Sequence, residues 1–512
     1  GLQNRKEPGS TGNFRWLLRT FLGGWVQGGL ALLISSPVWL PLIEFTQLSS
    51  RALMTNADRL VYSLPPADLI NLLIPNIAGR REWVVYLGVF PLFFILLALW
   101  KSRKQPLTLF WGIIAGSALL ISLGSNFPLV SVLNQLPLFN LLRVPAKFYF
   151  LVCISASVLC AFGVESLVTR SEKPSRWLFR FWIGLAIFTI ILAVGISVIT
   201  HSFSLQFVWV IVLFGFSILF LFLWDRGHLS STYLGIIALI VIVADILGIN
   251  MVGFTFLPQD QVFSQGAEVA AYLNSQPGDF RVYSPSYSLP QHTAAKFGIR
   301  LAGGVDPLML LNYVHFMETA TGIPVTHYSV TMPDFPTDSL STDNKGYIPD
   351  AHLLGLMNVR FVLSEFDLSS SDLNLIKIIG STRIYENKQW LPQAWVQTET
   401  TPLGEGILST PNVVSTPNKF TIEATGPGRL VLSEVYYPDW ILYIDGKEVS
   451  IEKMDGIFMG VELTPGNHSV EFIFHPTLVS IGLILAGIGW MGIVVYWIVV
   501  RKPSKKARNP RS

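Results

Sequence analysis

Seven long apolar runs, a polar stretch of about 220 residues, and one last uninterrupted apolar run from Leu478 to Val500 ahead of a basic tail limit what this chain can become. A run of about 20 apolar residues is long enough to cross hydrocarbon as a helix. Of the 512 residues, 51% are hydrophobic and only 13% charged, a balance that a soluble enzyme of this length would struggle to keep dispersed. The fold class expected is therefore a polytopic α-helical membrane protein, with about eight transmembrane helices and a large extracytoplasmic α+β domain ending in a small antiparallel β-sandwich. So much buried apolar protein would be needless for a substrate that requires only water. The chemistry belongs where spans meet the domain, and the substrate expected there is lipid-linked.

The expected spans are Leu22 to Leu42, Val84 to Trp100, Leu107 to Leu123, Phe148 to Leu167, Trp177 to Ile199, Phe207 to Trp224, Leu234 to Phe254 and Leu478 to Val500. The second and third are the shortest. If the spans alternate, one side collects Arg5, Lys6, Arg15 and Arg19, then Lys101, Arg103 and Lys104, then Arg170, Lys173, Arg176 and Arg180, then Arg226 and the tail from Arg501 to Arg511. By the positive-inside rule that side is the cytoplasm and holds both termini. A bacterial cytoplasmic (inner) membrane is the expected location. The domain plan is a cytoplasmic basic segment (1–21), a seven-span bundle (22–254) with external loops 43–83 and 124–147, an extracytoplasmic α+β domain (255–417), an extracytoplasmic β-sandwich (418–476), a last span (477–500) and a cytoplasmic tail (501–512).

A formal net charge of +3, with the basic residues gathered beside the spans, gives no phosphate-backbone footprint, so nucleic acid is not an expected partner. Cys153 and Cys160 lie seven residues apart on one apolar helix, too far to bridge. The outer domain has no cysteine, which suits a bacterial surface protein. The chain opens at Gly1 without Met or a signal-peptide pattern, and is read as the carboxy-terminal part of a longer protein.

Both external loops are apolar and broken by proline. The first contains Leu64-Pro65-Pro66 and a run to Pro75, followed by Arg80 and Arg81; the second contains Phe127-Pro128-Leu129 before Arg143-Val144-Pro145-Ala146-Lys147. An interfacial helix meeting phosphate headgroups and a packed surface loop are equal readings of the first. In the outer domain, strand-like pieces such as Val359 to Leu363 alternate with helical stretches such as Pro307 to Glu318. Phe420 to Ala424, Arg429 to Val435, Trp440 to Ile444, Gly456 to Leu463 and Ser469 to His475 then read as short strands, with a tight turn at Asp445-Gly446.

Several of these phrases together resemble the bacterial YfhO-like membrane proteins. They are Leu64-Pro65-Pro66 with Pro75-Asn76-Ile77-Ala78-Gly79, Arg143 to Phe148 leading into a helix that ends Phe162-Gly163-Val164-Glu165, Ala244-Asp245-Ile246-Leu247, Gly304-Val305-Asp306-Pro307-Leu308, Leu356 to Leu363, and Tyr436-Tyr437-Pro438-Asp439-Trp440 followed by Asp445-Gly446-Lys447. The ordered set is specific and covers nearly the whole chain. What the resemblance implies is a GT-C type glycosyltransferase that takes a sugar from a polyprenyl-phosphate carrier and places it on a cell-envelope glycan or polymer outside the membrane. It also implies that the catalytic Asp or Glu sits in a first external loop upstream of this chain.

Transfer from a lipid phosphate needs a carboxylate to take the acceptor proton and a cation to steady the departing phosphate. Arg143 and Lys147, four apart at a helix end, could share a face as the cations, or merely anchor that end; Arg80 and Arg81 are further phosphate candidates. Glu44, at the outer end of the first span, is a candidate base, although such a residue is usually just solvated. Asp245 lies near mid-span, where function is the default suspicion, yet a hydrogen-bonded helix-packing residue is the favoured reading. Tyr436, Tyr437 and Trp440 beside Asp439 offer a surface for sugar stacking, or serve as core or interface belt. His292, His315 and His352 show no metal-ligand spacing, no cofactor is evident, and a divalent cation has no spacing behind it. Gly24 and Gly28 have the GxxxG spacing of a close helix contact.

Three functions remain open: the lipid-linked glycosyltransferase, a transporter or flippase of lipid-linked envelope precursors, and a non-catalytic envelope scaffold that binds glycan. Membrane lipids and a polyprenyl-phosphate-linked sugar are the partners expected of the first.

Overall fold

The computed structural model describes residues 10–75, 85–136, 143–169, 176–201, 204–226, 230–251, 254–325 and 328–500. Arg80 and Arg81 lie outside them, as do the chain ends before Ser10 and after Val500. Eight apolar helices are present among the described residues: α1 (Ser10–Leu48), α2 (Val89–Lys101), α3 (Pro106–Ser122), α4 (Tyr149–Thr169), α5 (Arg176–Thr200), α6 (Leu205–Asp225), α7 (Ser231–Asn250) and α8 (Thr477–Val500). Six of them, α1 and α4 to α8, are long and apolar enough to cross a membrane. The chain is a membrane protein on this ground, but six rather than eight helices meet the length. At 13 residues, α2 spans only about 20 Å, and α3 has 17 residues.

Two compact units divide the chain: 54–258, and 1–53 together with 259–512. The first is a helical unit whose core is aromatic. Phe90, Phe93, Phe94, Trp182, Phe214 and Phe220 are all buried. Phe93 and Trp182 meet edge to face at 5.1 Å, and the Trp182 indole donates to Ser217 Oγ at 2.7 Å. Gly163 of α4 lies against α2 so closely that a Cβ there would stand 2.1 Å from the Phe94 carbonyl oxygen.

The short α2 has a local cause. Its apolar run begins at Val84, but residues 85–88 are irregular and the helix starts only at Val89, after Gly88 at φ +95°. An irregular stretch buried among apolar side chains needs partners for its backbone, and it has them. The Tyr149 hydroxyl donates to the Val85 carbonyl, the Val89 amide donates to the Tyr86 hydroxyl at 3.2 Å, and the Phe90 amide donates to Asp245 Oδ2 at 3.0 Å. Pro91 has no N–H to satisfy. The Tyr86 hydroxyl itself donates to Asp245 Oδ1 at 2.6 Å.

Two proline-broken loops of this unit are knitted together. The Leu64 amide donates to the Ser122 carbonyl at 2.9 Å, the Val144 amide to the Arg59 carbonyl at 3.2 Å, and Asn126 Nδ2 to the Leu64 carbonyl at 3.1 Å. Both loops therefore lie at one end of this helical unit.

In the second unit α1 packs on α8 through glycines of α8. A Cβ on Gly482 would stand 2.6 Å from Pro37 Cα, and one on Gly489 3.0 Å from Ile34 Cγ1. Ser36 Oγ donates to the Gly482 carbonyl at 2.9 Å. Among the described residues nothing stands within 4 Å of a Cβ at Gly24 or Gly28, where a close helix contact was expected. Spacing alone shows where a helix offers a smooth strip, not which partner uses it.

The rest of this unit holds the strands β1 (Arg281–Tyr283), β2 (Arg300–Leu301), β3 (Gly304–Val305), β4 (Thr331–Met332), β5 (Val359–Ser364), β6 (Leu373–Ile379), β7 (Thr382–Asn387), β8 (Ala394–Gln397), β9 (Ile407–Ser409), β10 (Val413–Thr416), β11 (Lys419–Val435), β12 (Trp440–Ile444), β13 (Lys447–Val449), β14 (Glu452–Met454) and β15 (Phe458–Phe474). A mixed five-stranded sheet runs β2-β1-β5-β7-β6, with β1 parallel to both β2 and β5. β3 and β4 form a separate antiparallel pair.

Residues 418–476, expected as a small sandwich, join one hydrogen-bonded antiparallel sheet of eight strands, β13-β12-β15-β11-β8-β9 with β10 on β11 and β14 on β15. β11 and β15 are each 17 residues long and pair along their length. Register shifts between Gly426 and Gly428, letting the long pair bend. Because β8 pairs with β11 and β10 forms a hairpin with it, the sheet begins near residue 394 rather than 418.

Candidate functional site

A cleft of about 640 Å³ opens in the second unit, between the carboxy-terminal end of α1 and the eight-stranded sheet. Val38, Pro41 and Leu42 of α1 form its apolar wall; Tyr437, Asp439 and Trp440 face them. Glu44 and Phe45 lie in the last turns of the helix, and the turn between β11 and β12 meets them. Tyr437 Oη donates to Glu44 Oε2 at 3.1 Å, linking residues 393 apart in sequence. Phe45 and Tyr437 stack, with ring centroids 6.0 Å apart and planes inclined by 25°. Phe474 lies under both Tyr437 and Trp440, at 5.9 and 5.2 Å.

This geometry gathers Glu44, Tyr437 and Trp440, three residues singled out in the sequence. Tyr436 is directed elsewhere. Adjacent residues of an extended chain point to opposite faces, and the Tyr436 ring instead carries Lys453 Nζ at 4.1 Å. Phe45 and Phe474 belong to the cleft as well, although nothing in their local sequence marks them. The one available signal was position, since both lie where a span meets the domain.

The electrostatics of the cleft are acidic. Glu44 and Asp439 line it, and no Lys, Arg or His does so among the described residues. Partial burial, then the hydrogen bond to Glu44, then the charges of Glu44 and Asp439 raise the Tyr437 phenol above its ordinary pKa. The hydroxyl therefore stays protonated and occupies one oxygen of Glu44. The other oxygen remains to accept, as do those of Asp439. Carboxylate acceptors beside flat aromatic faces suit an uncharged polyhydroxylated ring and repel phosphate. The volume is that of a small-molecule site.

The basic candidates belong to the helical unit. Pro145 disfavours a helical residue before it, and Val144 adopts φ +62°, so the helical turn begins only at Pro145. Arg143 thus stands outside the helix, and the helical four-residue spacing expected to align it with Lys147 does not form. Arg143 is half-buried against Val130, Asn134 and Phe148, whereas Lys147 is exposed.

Asp245 lies fully buried, five residues before the end of α7, which stops at Asn250 rather than Phe254. That is about 8 Å from the helix end, not mid-span. Its two oxygens hold Tyr86 and the first turn of α2, so its role is to close an irregular entry. No group of three or more His, Cys, Asp or Glu able to hold a metal occurs among the described residues.

A membrane protein whose first long apolar helix and eight-stranded sheet together build an acidic, aromatic cleft is the class these features define. Residues 391–486, from the segment before β8 into the first turns of α8, match the family model of the bacterial membrane protein YfhO. The matched segment contains Tyr437, Asp439, Trp440 and Phe474 of the cleft. No curated protein and no solved structure matches the chain.

Proposed function

We propose that the protein handles a sugar at the outer face of a bacterial cytoplasmic membrane, as part of a glycosyltransferase that moves it from a polyprenyl-phosphate carrier to a cell-envelope acceptor. The observation that carries this reading is the Glu44–Tyr437 hydrogen bond inside a cleft floored by aromatic rings and walled by apolar residues of a span. The acceptor sugar lies across Tyr437 and Trp440, and Glu44 takes the proton of its attacking hydroxyl. Tyr437 orients that carboxylate. Lys147 and Arg143 remain the candidates for lipid phosphate, because the acidic cleft is unsuited to it. The outward orientation rests on the alternation of basic loops.

The test is sugar transfer by the full-length chain in a membrane mimetic, from a polyprenyl-phosphate donor. Glu44→Gln should lower transfer by about 100-fold or more, the usual scale for losing a general base, while acceptor binding persists. Transfer at the wild-type rate would remove Glu44 from the chemistry. A second reading, a glycan-binding scaffold, is favoured by the lack of a cation lining the cleft among the described residues; saccharide binding by a protein that transfers nothing would establish it. An impermeant thiol reagent on intact cells should label a Lys345→Cys variant, and failure to do so would reverse the orientation.

A further inference from the structure

A second cavity, of about 310 Å³, lies in the same unit beside the cleft, and Leu308 lines both. The chain also passes directly between them: Val435 lines the smaller cavity and Tyr437, two residues on, the larger. The partition is a short bar of residues 306–310 held by hydrogen bonds. The Asp306 amide donates to the Val330 carbonyl at 2.7 Å, and the Leu308 amide to Asp306 Oδ1 at 2.8 Å. At its other end the Met309 carbonyl accepts from the Ser50 amide at 2.9 Å, and Leu310 bridges Ser49. The bar is thus fixed to the segment that continues α1.

The smaller cavity repeats the chemistry of the larger. Asp306, Gln291 and Tyr313 are its polar walls, and no basic residue lines it among the described residues. Gln291 Oε1 accepts from the Val305 amide at 3.0 Å, which fixes the amide group and leaves its Nε2 hydrogens for a ligand. Gly304, at φ +144°, allows that approach; a Cβ there would stand 3.1 Å from Gln291 Oε1. Tyr313 is occupied by its bond to the Ala302 carbonyl and contributes a ring. An amide donor, a carboxylate acceptor and an aromatic face are again the groups that recognise hydroxylated rings.

We infer that the two cavities are successive subsites for one neutral saccharide chain, which crosses over Leu308 with one ring in the cleft and further rings beside Gln291 and Asp306. This rests on the carbohydrate reading of the cleft and names its ligand more narrowly. The site takes an extended glycan, not a single sugar.

The experiment is titration of the full chain in a membrane mimetic with neutral gluco-oligosaccharides and N-acetylglucosamine oligomers of one to six units. Affinity should rise at least 10-fold between one unit and three. Gln291→Glu keeps the acceptor for the Val305 amide but removes the donor, and Leu308→Trp fills the crossing. Both should abolish the gain with length, and Gln291→Glu should leave monosaccharide affinity and thermal unfolding unchanged. Affinity that is flat with length, or a Gln291→Glu protein that binds like wild type, overturns the two-subsite inference alone, provided monosaccharide binding still falls in Trp440→Ala. Binding of no saccharide at any length overturns the inference and the carbohydrate reading together.

Discussion

Asp245 Oδ2 and the Phe90 amide nitrogen, 155 residues apart in sequence, lie 3.0 Å from each other and close the first turn of α2. Asp245→Ala orphans both this amide and the Tyr86 hydroxyl in an apolar interior, at roughly 1–3 kcal/mol for each donor. The expected result is a lower thermal midpoint in detergent and faster amide exchange at Phe90. Unchanged exchange there would mean that α2 starts without help from α7.

Arg281 makes a comparable link inside the strand-rich part of the chain. Its Nη2 lies 2.6 Å from Glu434 Oε1, and Nη1 donates to the Ser433 carbonyl at 2.8 Å, so β1 of one sheet is fastened to β11 of the other. Both side chains are largely buried, 12% and 22% exposed. Arg281→Met leaves Glu434 with Gln393 as its remaining side-chain partner, a loss on the order of 3 kcal/mol for a broken buried pair. Arg281→Met with Glu434→Leu should be less damaging than Arg281→Met alone in denaturant unfolding. A double variant worse than the single would show that the charges are net stabilising.

Helix contact in the membrane sets a third prediction. Gly482→Val places atoms where Pro37 already stands, and overpacking of this kind costs about 1–3 kcal/mol. Gly28→Val meets open space and should leave thermal stability unchanged. Equal effects of the two would contradict the α1–α8 contact.

A pH-dependent pair joins the β12–β13 turn to β15. The hydrogen bond to Asp445, at 2.7 Å, raises the His468 pKa, and the same bond lowers that of Asp445. The histidine's contribution is fully present below its ordinary 6.5 and is lost as pH rises through the raised value. The carboxylate's contribution is present above 3.8 and is lost as pH falls through the lowered value. The pair is therefore strongest between about pH 4 and 6.5. Asp445→Asn should bring the His468 midpoint, followed by NMR, down toward 6.5; a midpoint that stays put would assign the shift elsewhere.

Much of the architecture was legible because it rests on periodicity and composition. The long apolar runs became helices, and the alternation from Phe420 to Phe474 became strands. Alternation, however, reports only that a strand has two faces, so it could not tell a sandwich from one bent sheet. The apolar run beginning at Val84 looked continuous because hydropathy is blind to Gly88 and to the irregular backbone it allows. Pairings across great sequence distance, Glu44 with Tyr437 and Asp245 with Phe90, leave no local trace. Glu44 looked like a solvated span end until the β11–β12 turn was placed against it.

That placement has a practical consequence for anyone isolating the hydrophilic part of the molecule. A water-soluble piece cut at 259 and 476 would retain Tyr437, Asp439 and Trp440 but would leave Val38, Pro41, Glu44 and Phe45 behind in the lipid. Such a piece would present one bank of the channel without the other, and weak sugar recognition by it would measure the cut, not the protein.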